Sequence, residues 1–294
     1  MSKHHLTSDF APRRRTNEDA EYIYKAWRDT IVNSYSSRRL TYESDRLPAL
    51  SGIASGVRQA TQDEYIAGIW KSDLPLSLLW AKQGLFASEA YISQEYQAPS
   101  FSWASINRRV TYELTPAGSS NCKIPGRFKS LVDIVSATCE PAGVDPTGEI
   151  CDGVLSIRGY LFRAWIRHEP TQPAPPGGFT IVLQHNNDEI ELHDWEHGFW
   201  FIPDVPLTYS KCGDRSYQAQ RVTARGKHHQ APLPLRCQAF YLPVGTCDDR
   251  VIGLVLGYSE RRPGCWERLG LASGYPSATT EALDSAPVQE INIV

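Results

Sequence analysis

The sequence predicts an α+β protein in which an N-terminal helical segment packs on a mainly antiparallel β domain, sandwich or barrel-like in form. Three observations predict it. Up to about residue 99 the apolar residues recur at intervals of three and four, the spacing of one helix face. From residue 100 the texture changes to short runs of alternating large and small side chains, separated by Gly, Pro and Asp turns. Neither half has enough apolar pattern to look self-sufficient. Residues 17–99 and 100–294 are therefore read as one continuous unit behind a disordered leader, residues 1–16.

Taken in order, Thr16-Asn17-Glu18-Asp19 has the form of a capping box, Thr followed three residues later by an acid. Tyr22, Ile23, Ala26, Trp27, Thr30, Ile31, Ser34 and Tyr35 then recur at helical spacing and predict a helix over 17–35. A second helix is expected to start after Ser44 or Asp45, whose side chains can accept from the free N–H groups of a first turn. Pro48 is tolerable in that turn because its missing N–H would have no intrahelical partner. Leu47, Leu50, Ile53, Ala54 and Val57 form the apolar stripe, and Gly52 and Gly56 predict close approach of a neighbouring backbone. Residues 65–70 read as one or two helical turns. Asp73 reads as the cap of a further short helix with Pro75 in its first turn and Leu76, Leu78, Leu79 and Trp80 beyond. Trp27, Trp70 and Trp80 predict a small aromatic core.

The expected strands are 101–106, 109–114, 128–135, 154–162, 179–183, 237–242, 251–256, 267–271 and 290–294. Residues 171–178 and the region around 213–230 read as loops.

Several segments together carry a family signal: Tyr35-Ser36-Ser37-Arg38-Arg39-Leu40-Thr41; Asp45-Arg46-Leu47-Pro48-Ala49-Leu50-Ser51-Gly52; the segments ending at Trp70 and Trp80; and Pro99-Ser100-Phe101-Ser102-Trp103-Ala104-Ser105. Looser counterparts are Tyr241-Leu242-Pro243, Gly253-Leu254-Val255-Leu256, Arg268-Leu269-Gly270-Leu271 and the isoleucine-rich end Glu290-Ile291-Asn292-Ile293. This series resembles the region downstream of the defining domain in fungal heterokaryon-incompatibility (HET-domain) proteins, with Phe101 standing where the family has a tryptophan. The family's N-terminal domain, distantly like TIR domains, has no counterpart in these residues. The resemblance therefore implies a truncated, non-catalytic accessory or regulatory region in fungal non-self recognition and programmed cell death. Its expected partner is a HET domain, supplied in the same molecule or by another protein. No catalytic residue and no cofactor is carried over.

At 41% hydrophobic and 21% charged residues the composition is that of an ordinary folded protein. The net charge of -3 supplies no global attraction to nucleic acid or to an acidic membrane, and neither is an expected partner. No apolar run reaches the roughly 18 residues of a membrane span. The seven cysteines, 122, 139, 151, 212, 237, 247 and 265, contain no C-x-x-C pair. With a polar N-terminus that is no secretory signal, they predict reduced thiols and a cytoplasmic setting.

Chemistry is sparse. His193-Asp194-Trp195-Glu196-His197 matches H-x-x-E-H, in which two histidines one turn apart on a helix would bind zinc beside a general base. The strand-like lead-in Ile190-Glu191-Leu192 and the nearby Gly198 and Pro203 argue for a loop or strand end instead, so a metal-dependent hydrolase is the lesser alternative. A β-rich ligand- or protein-binding module using Trp195, Phe199, Trp200 and Phe201 is another. Ser102 and Ser105 lack an acid–base partner placed by sequence and read as small residues that let Trp103 pack. Asp45 reads as a cap and Arg46 as the partner of a nearby carboxylate. Arg38 and Arg39 could bind an anion, but no neighbouring motif fixes a site. Phosphate-loop and dinucleotide signatures are absent.

Overall fold

A computed structural model describes residues 17–83, 91–112, 128–168, 179–185, 188–192, 200–211, 216–221, 236–247, 250–274 and 287–294. Among these residues the fold is α+β: two helices and a set of short turns packed on a large, mostly antiparallel sheet.

Helix α1 runs as α-helix over Asn17–Ala26, as π-helix over Trp27–Val32 and as α-helix again over Asn33–Ser36. Its buried positions are Ile23, Tyr24, Trp27, Arg28, Ile31, Val32, Tyr35 and Ser36, two rows that each repeat every fourth residue. At about 3.6 residues per turn such rows would swing away from the core by roughly 40° per repeat. The wider π winding in the middle holds both rows on one face. A reading based on 3.6 places Tyr22, Thr30 and Ser34 on that face; all three are exposed.

The second helix starts later than expected. Residues Glu43–Arg46 and Pro48–Leu50 form two 3-10 turns, and α2 is Ser51–Thr61, with no side-chain cap on any of the three. Pro48 has no N–H to close a helical bond back to Ser44, so the regular ladder begins only beyond it. Leu47, Leu50, Ala54 and Val57 are buried, whereas Ile53 is 42% exposed. Gly52 and Gly56 face open space rather than a neighbouring backbone.

Residues 65–70 are a hairpin, not helical turns: β1 (Tyr65–Ile66) pairs with β2 (Ile69–Trp70). Both turn residues have positive φ, Ala67 at 49° and Gly68 at 96°, as a type I′ turn requires. Alanine in the first position hides this turn from sequence. The expected helix capped by Asp73 is likewise replaced by 3-10 turns at Lys71–Asp73 and Leu76–Leu78. Trp103–Ser105, read as part of a strand, is also a 3-10 turn. A short pair, β3 (Ala81–Lys82) with β4 (Val110–Thr111), closes this layer.

Among the described residues the main sheet has thirteen strands: β5 (Phe128–Ser130), β6 (Asp133–Pro141), β7 (Ile150–Tyr160), β8 (Phe162–His168), β9 (Phe179–His185), β10 (Asp188–Leu192), β11 (Trp200–Pro203), β12 (Leu207–Lys211), β13 (Tyr217–Arg221), β14 (Arg236–Cys247), β15 (Arg250–Tyr258), β16 (Trp266–Gly274) and β17 (Val288–Ile293). The path is β10-β9-β8-β14-β15-β16-β17-β7-β6, with β11 on β16, β12 on β13, and β13 and β5 on β14. All pairings are antiparallel except the single-residue contacts β13–β14 and β16–β17. Strand β13 falls inside the region read as a loop; in Tyr217-Gln218-Ala219-Gln220-Arg221 the alternation is short and rests on one small apolar residue, Ala219, and Tyr217.

Alternation along β14 and β15 divides their side chains between two cores. Phe240, Leu242, Leu254 and Leu256 join α1, α2 and the tryptophans in a cluster that runs from Ile23 to Ile293. Ala239, Tyr241 and Val255 join a second cluster built from β8, β9, β11 and β13. Burial on both faces explains why these strands read as near-continuous apolar runs. Among the described residues no helix is long and apolar enough to cross a membrane.

Candidate functional site

Several of the segments singled out in the sequence converge on the β1–β2 hairpin. The Gly68 carbonyl accepts from two indoles, Trp27 Nε1 at 2.9 Å and Trp103 Nε1 at 2.8 Å. Ser102 Oγ donates to the Ala67 carbonyl and accepts from the Ala104 amide at 3.0 Å. Tyr35 donates to the Arg46 carbonyl at 2.9 Å and sets its ring edge-on to Trp103. Trp27 meets Trp70 edge-on at 5.3 Å, and Trp80 Nε1 donates to the Phe101 carbonyl at 2.9 Å. Pro99, Ala104 and Ser105 are buried beside them.

Other motif residues stay outside this knot. Arg38, Thr41, Asp45, Ala49 and Gly52 are exposed, and Leu40 and Pro48 are half-buried. Arg46 is 2% exposed and donates to Asn107 Oδ1 at 2.9 Å rather than to a carboxylate. The acid of this group, Glu43, accepts from Tyr91 Oη at 2.6 Å and from Asn107 Nδ2 at 3.3 Å. Burial lowers the Arg46 pKa against the pull of Tyr35, Tyr91 and Glu43.

Two buried ion pairs lie on either side of the aromatic cluster, and sequence reasoning missed both. Arg28, in the π segment of α1, pairs with Asp73, which also accepts from Ser77 Oγ at 2.9 Å. Arg268, on β16, donates to Asp204 Oδ2 at 2.9 Å and Oδ1 at 3.2 Å, and to the carbonyls of Leu78 and Trp80. Its guanidinium lies 3.5 Å from the centre of the Trp80 ring. Its backbone N–H donates to Ser100 Oγ at 2.9 Å, and Ser100 in turn donates to the Val294 carbonyl. Burial raises the Asp204 pKa, opposed by Arg268, Arg221 and Lys82. Lys82 is 1% exposed and its ammonium has no hydrogen-bond partner among the described residues. Burial lowers its pKa to about 8, with Asp204 opposing and Arg108 reinforcing. A row of every fourth residue on α1 would have exposed Arg28, and Arg268 opens one of the family-like segments; Asp204 has no sequence signal.

Two concavities could receive a ligand. The first, about 370 Å³, lies between residues 92–100 and the ends of β13, β15 and β16. Three of its lining side chains have buried polar atoms with no partner among the described residues: Tyr96 Oη, Gln97 Nε2 and Arg221 Nε. Arg221 also donates to Ser105 Oγ at 3.0 Å. Burial lowers its pKa against the attraction of Asp204 and Glu267. Arg261 stacks over the Tyr96 ring at 3.6 Å. The second, about 660 Å³, is bounded by the end of α1 and by residues 107–109, and four arginines line it: Arg38, Arg39, Arg108 and Arg109.

The histidine motif, His193 to His197, lies outside the described residues, as do Trp195 and Phe199. Phe201, read as part of an aromatic binding surface, is fully buried in the second core, edge-on to Phe179 at 6.1 Å. Among the described residues no three His, Cys, Asp or Glu side chains form a possible metal cluster. Cys139, Cys151 and Cys265 carry free thiols. No protein-family model, curated protein or solved structure matches the chain.

Proposed function

We propose that this chain is the non-catalytic accessory and regulatory region of a HET-like protein, serving non-self recognition and programmed cell death with a HET domain as its partner. One observation carries the reading: the buried residues among those that bear the resemblance are spent on architecture. Tyr35, Ser102 and Trp103 fix the hairpin carbonyls and the Arg46 backbone, and Ser105 is engaged by Arg221. A hydroxyl held as a donor to a backbone carbonyl is a fold bolt rather than an activated nucleophile, which needs a base within reach.

The test is the 5′ end of the transcript, followed by expression in fungal cells. The expected result is an upstream in-frame segment with HET-domain features, and growth arrest only from the longer product. Arrest caused by residues 1–294 alone overturns the reading; a transcript starting just before Met1 leaves the HET domain to another protein, and arrest should then require co-expression of one.

The first cavity favours a second reading, a β-rich module for a small polar ligand. Unpaired buried donors are costly unless a ligand satisfies them. Thermal shifts in a panel of small polyols and carboxylates should then appear in the native protein and be lost in the Tyr96→Phe and Gln97→Ala variants. Shifts that persist in both variants place the ligand elsewhere.

A further inference from the structure

We propose that the arginine-lined cleft is a binding site for a small soluble compound carrying two or three linked phosphoryl groups. Its four arginines come from two distant parts of the chain. Arg38 and Arg39 follow the C-terminal end of α1, and Arg108 and Arg109 precede β4. Among the described residues the lining contains no Asp or Glu, in a chain whose acids outnumber its Lys and Arg by 33 to 30. Among the described residues no carboxylate pairs with Arg38, Arg39 or Arg109. Arg109 is aimed by a neutral acceptor: its Nε and one terminal nitrogen donate to Asn33 Oδ1 at 3.1 and 2.9 Å. That contact orients the guanidinium without cancelling its charge. A fifth arginine, the buried Arg46, stands behind the cleft wall through its bond to Asn107, and its second terminal nitrogen has no partner among the described residues.

The bland account is that Arg38 and Arg39 complement the negative end of the α1 dipole, since the Arg38 amide donates to the Tyr35 carbonyl at 2.9 Å. That end is worth about half a charge, too little to explain Arg38, Arg39 and Arg109, the last from another segment. Glu43 contributes one negative charge nearby, already engaged by Tyr91 and Asn107.

The shape selects the ligand class. Guanidinium forks match phosphate oxygens two at a time, and several cations gathered in one cleft suit several anionic groups on one small molecule. Among the described lining residues Tyr91 is the lone aromatic and Leu40 the lone large aliphatic, which offers little platform for stacked bases. A net charge of -3 also disfavours a long polyanion.

The test is titration calorimetry of the full chain with inorganic tripolyphosphate, beside orthophosphate, duplex DNA and vesicles containing phosphorylated inositol lipids. The expected result is saturable one-to-one binding of tripolyphosphate, tighter than orthophosphate. Arg39→Gln and Arg38→Gln should each weaken it about tenfold, as expected for a charged hydrogen bond. Both side chains are exposed, so both variants should keep the parent melting temperature. Arg158→Gln, on β7 outside the cleft, should leave binding unchanged. Absence of saturable binding, equal loss in Arg158→Gln, or tighter binding to DNA or vesicles than to tripolyphosphate overturns the proposal.

Discussion

Arg268 shows how one side chain can join two layers. From the sheet it reaches Asp204 and two carbonyls of the turn layer with its whole guanidinium. Removing one member of a fully buried pair strands the other. Arg268→Ala should therefore cost about 3–5 kcal/mol in urea denaturation, and the double variant Arg268→Met with Asp204→Leu should recover part of the loss. A double variant as unstable as the single one would mean that the carbonyl bonds, not the ion pair, dominate. Lys82 gives a pH signature. Its folded pKa is about 8 against an ordinary 10.5. Below about 8 the fold carries the full cost of a buried ammonium. Between about 8 and 10 the folded lysine sheds its proton while the unfolded chain keeps it, so stability rises with pH. Above 10 the buried tyrosines, whose pKa values are raised by burial, reverse the trend. Lys82→Met should be more stable than the parent at pH 7, with the gap narrowing toward pH 10 in urea midpoints. A gap constant with pH would place the titration elsewhere. Tryptophan burial was legible from composition alone, because so large an apolar ring belongs inside. The buried arginines were not, since a single sequence assigns charged residues to the surface by default.

At the scale of elements, two glycines of α2 and one in the hairpin should behave in opposite ways. Gly52 and Gly56 would meet nothing with an added Cβ, so alanine at either should stabilise by about 0.5–1 kcal/mol through helix propensity. Gly68 has φ near +96°, and a Cβ there would sit 2.8 Å from Trp103 Nε1. Gly68→Ala should lower the melting temperature sharply and break the double indole contact, seen as a shift in tryptophan emission; a neutral effect would mean that the hairpin can relax. Strands β7, β9 and β14 to β17 were legible because alternation and apolar runs are local signals; β8 was not, since the expected strand 154–162 runs across the break at Leu161. The hairpin, the π winding and β13 were not. Each is set by context that a local pattern does not carry: Ser102 for the hairpin turn, a four-residue burial rhythm for α1, and pairing with β12 and β14 for β13.

For the whole molecule, a shared core sets the expectation. The larger cluster draws residues from Ile23 through Ile293, so limited proteolysis should yield no stable fragment beginning near residue 100. Release of one would show that the sheet stands alone. The candidate clefts were half legible. Arg38 and Arg39 could be named as cations, but only the fold brings Arg108 and Arg109 beside them, some seventy residues further along the chain.

Strand β17 has a consequence in time. It comes after the other described strands, yet it is the link between β16 and β7 in the path of the sheet. Until it emerges from the ribosome, the β6–β7 pair and the strands from β10 to β16 are separate pieces, and Ser100 lacks the Val294 carbonyl that engages it. At roughly 5–20 residues per second, the nascent chain spends many seconds with the β7 edge uncovered. That interval is when a chaperone would have most to do.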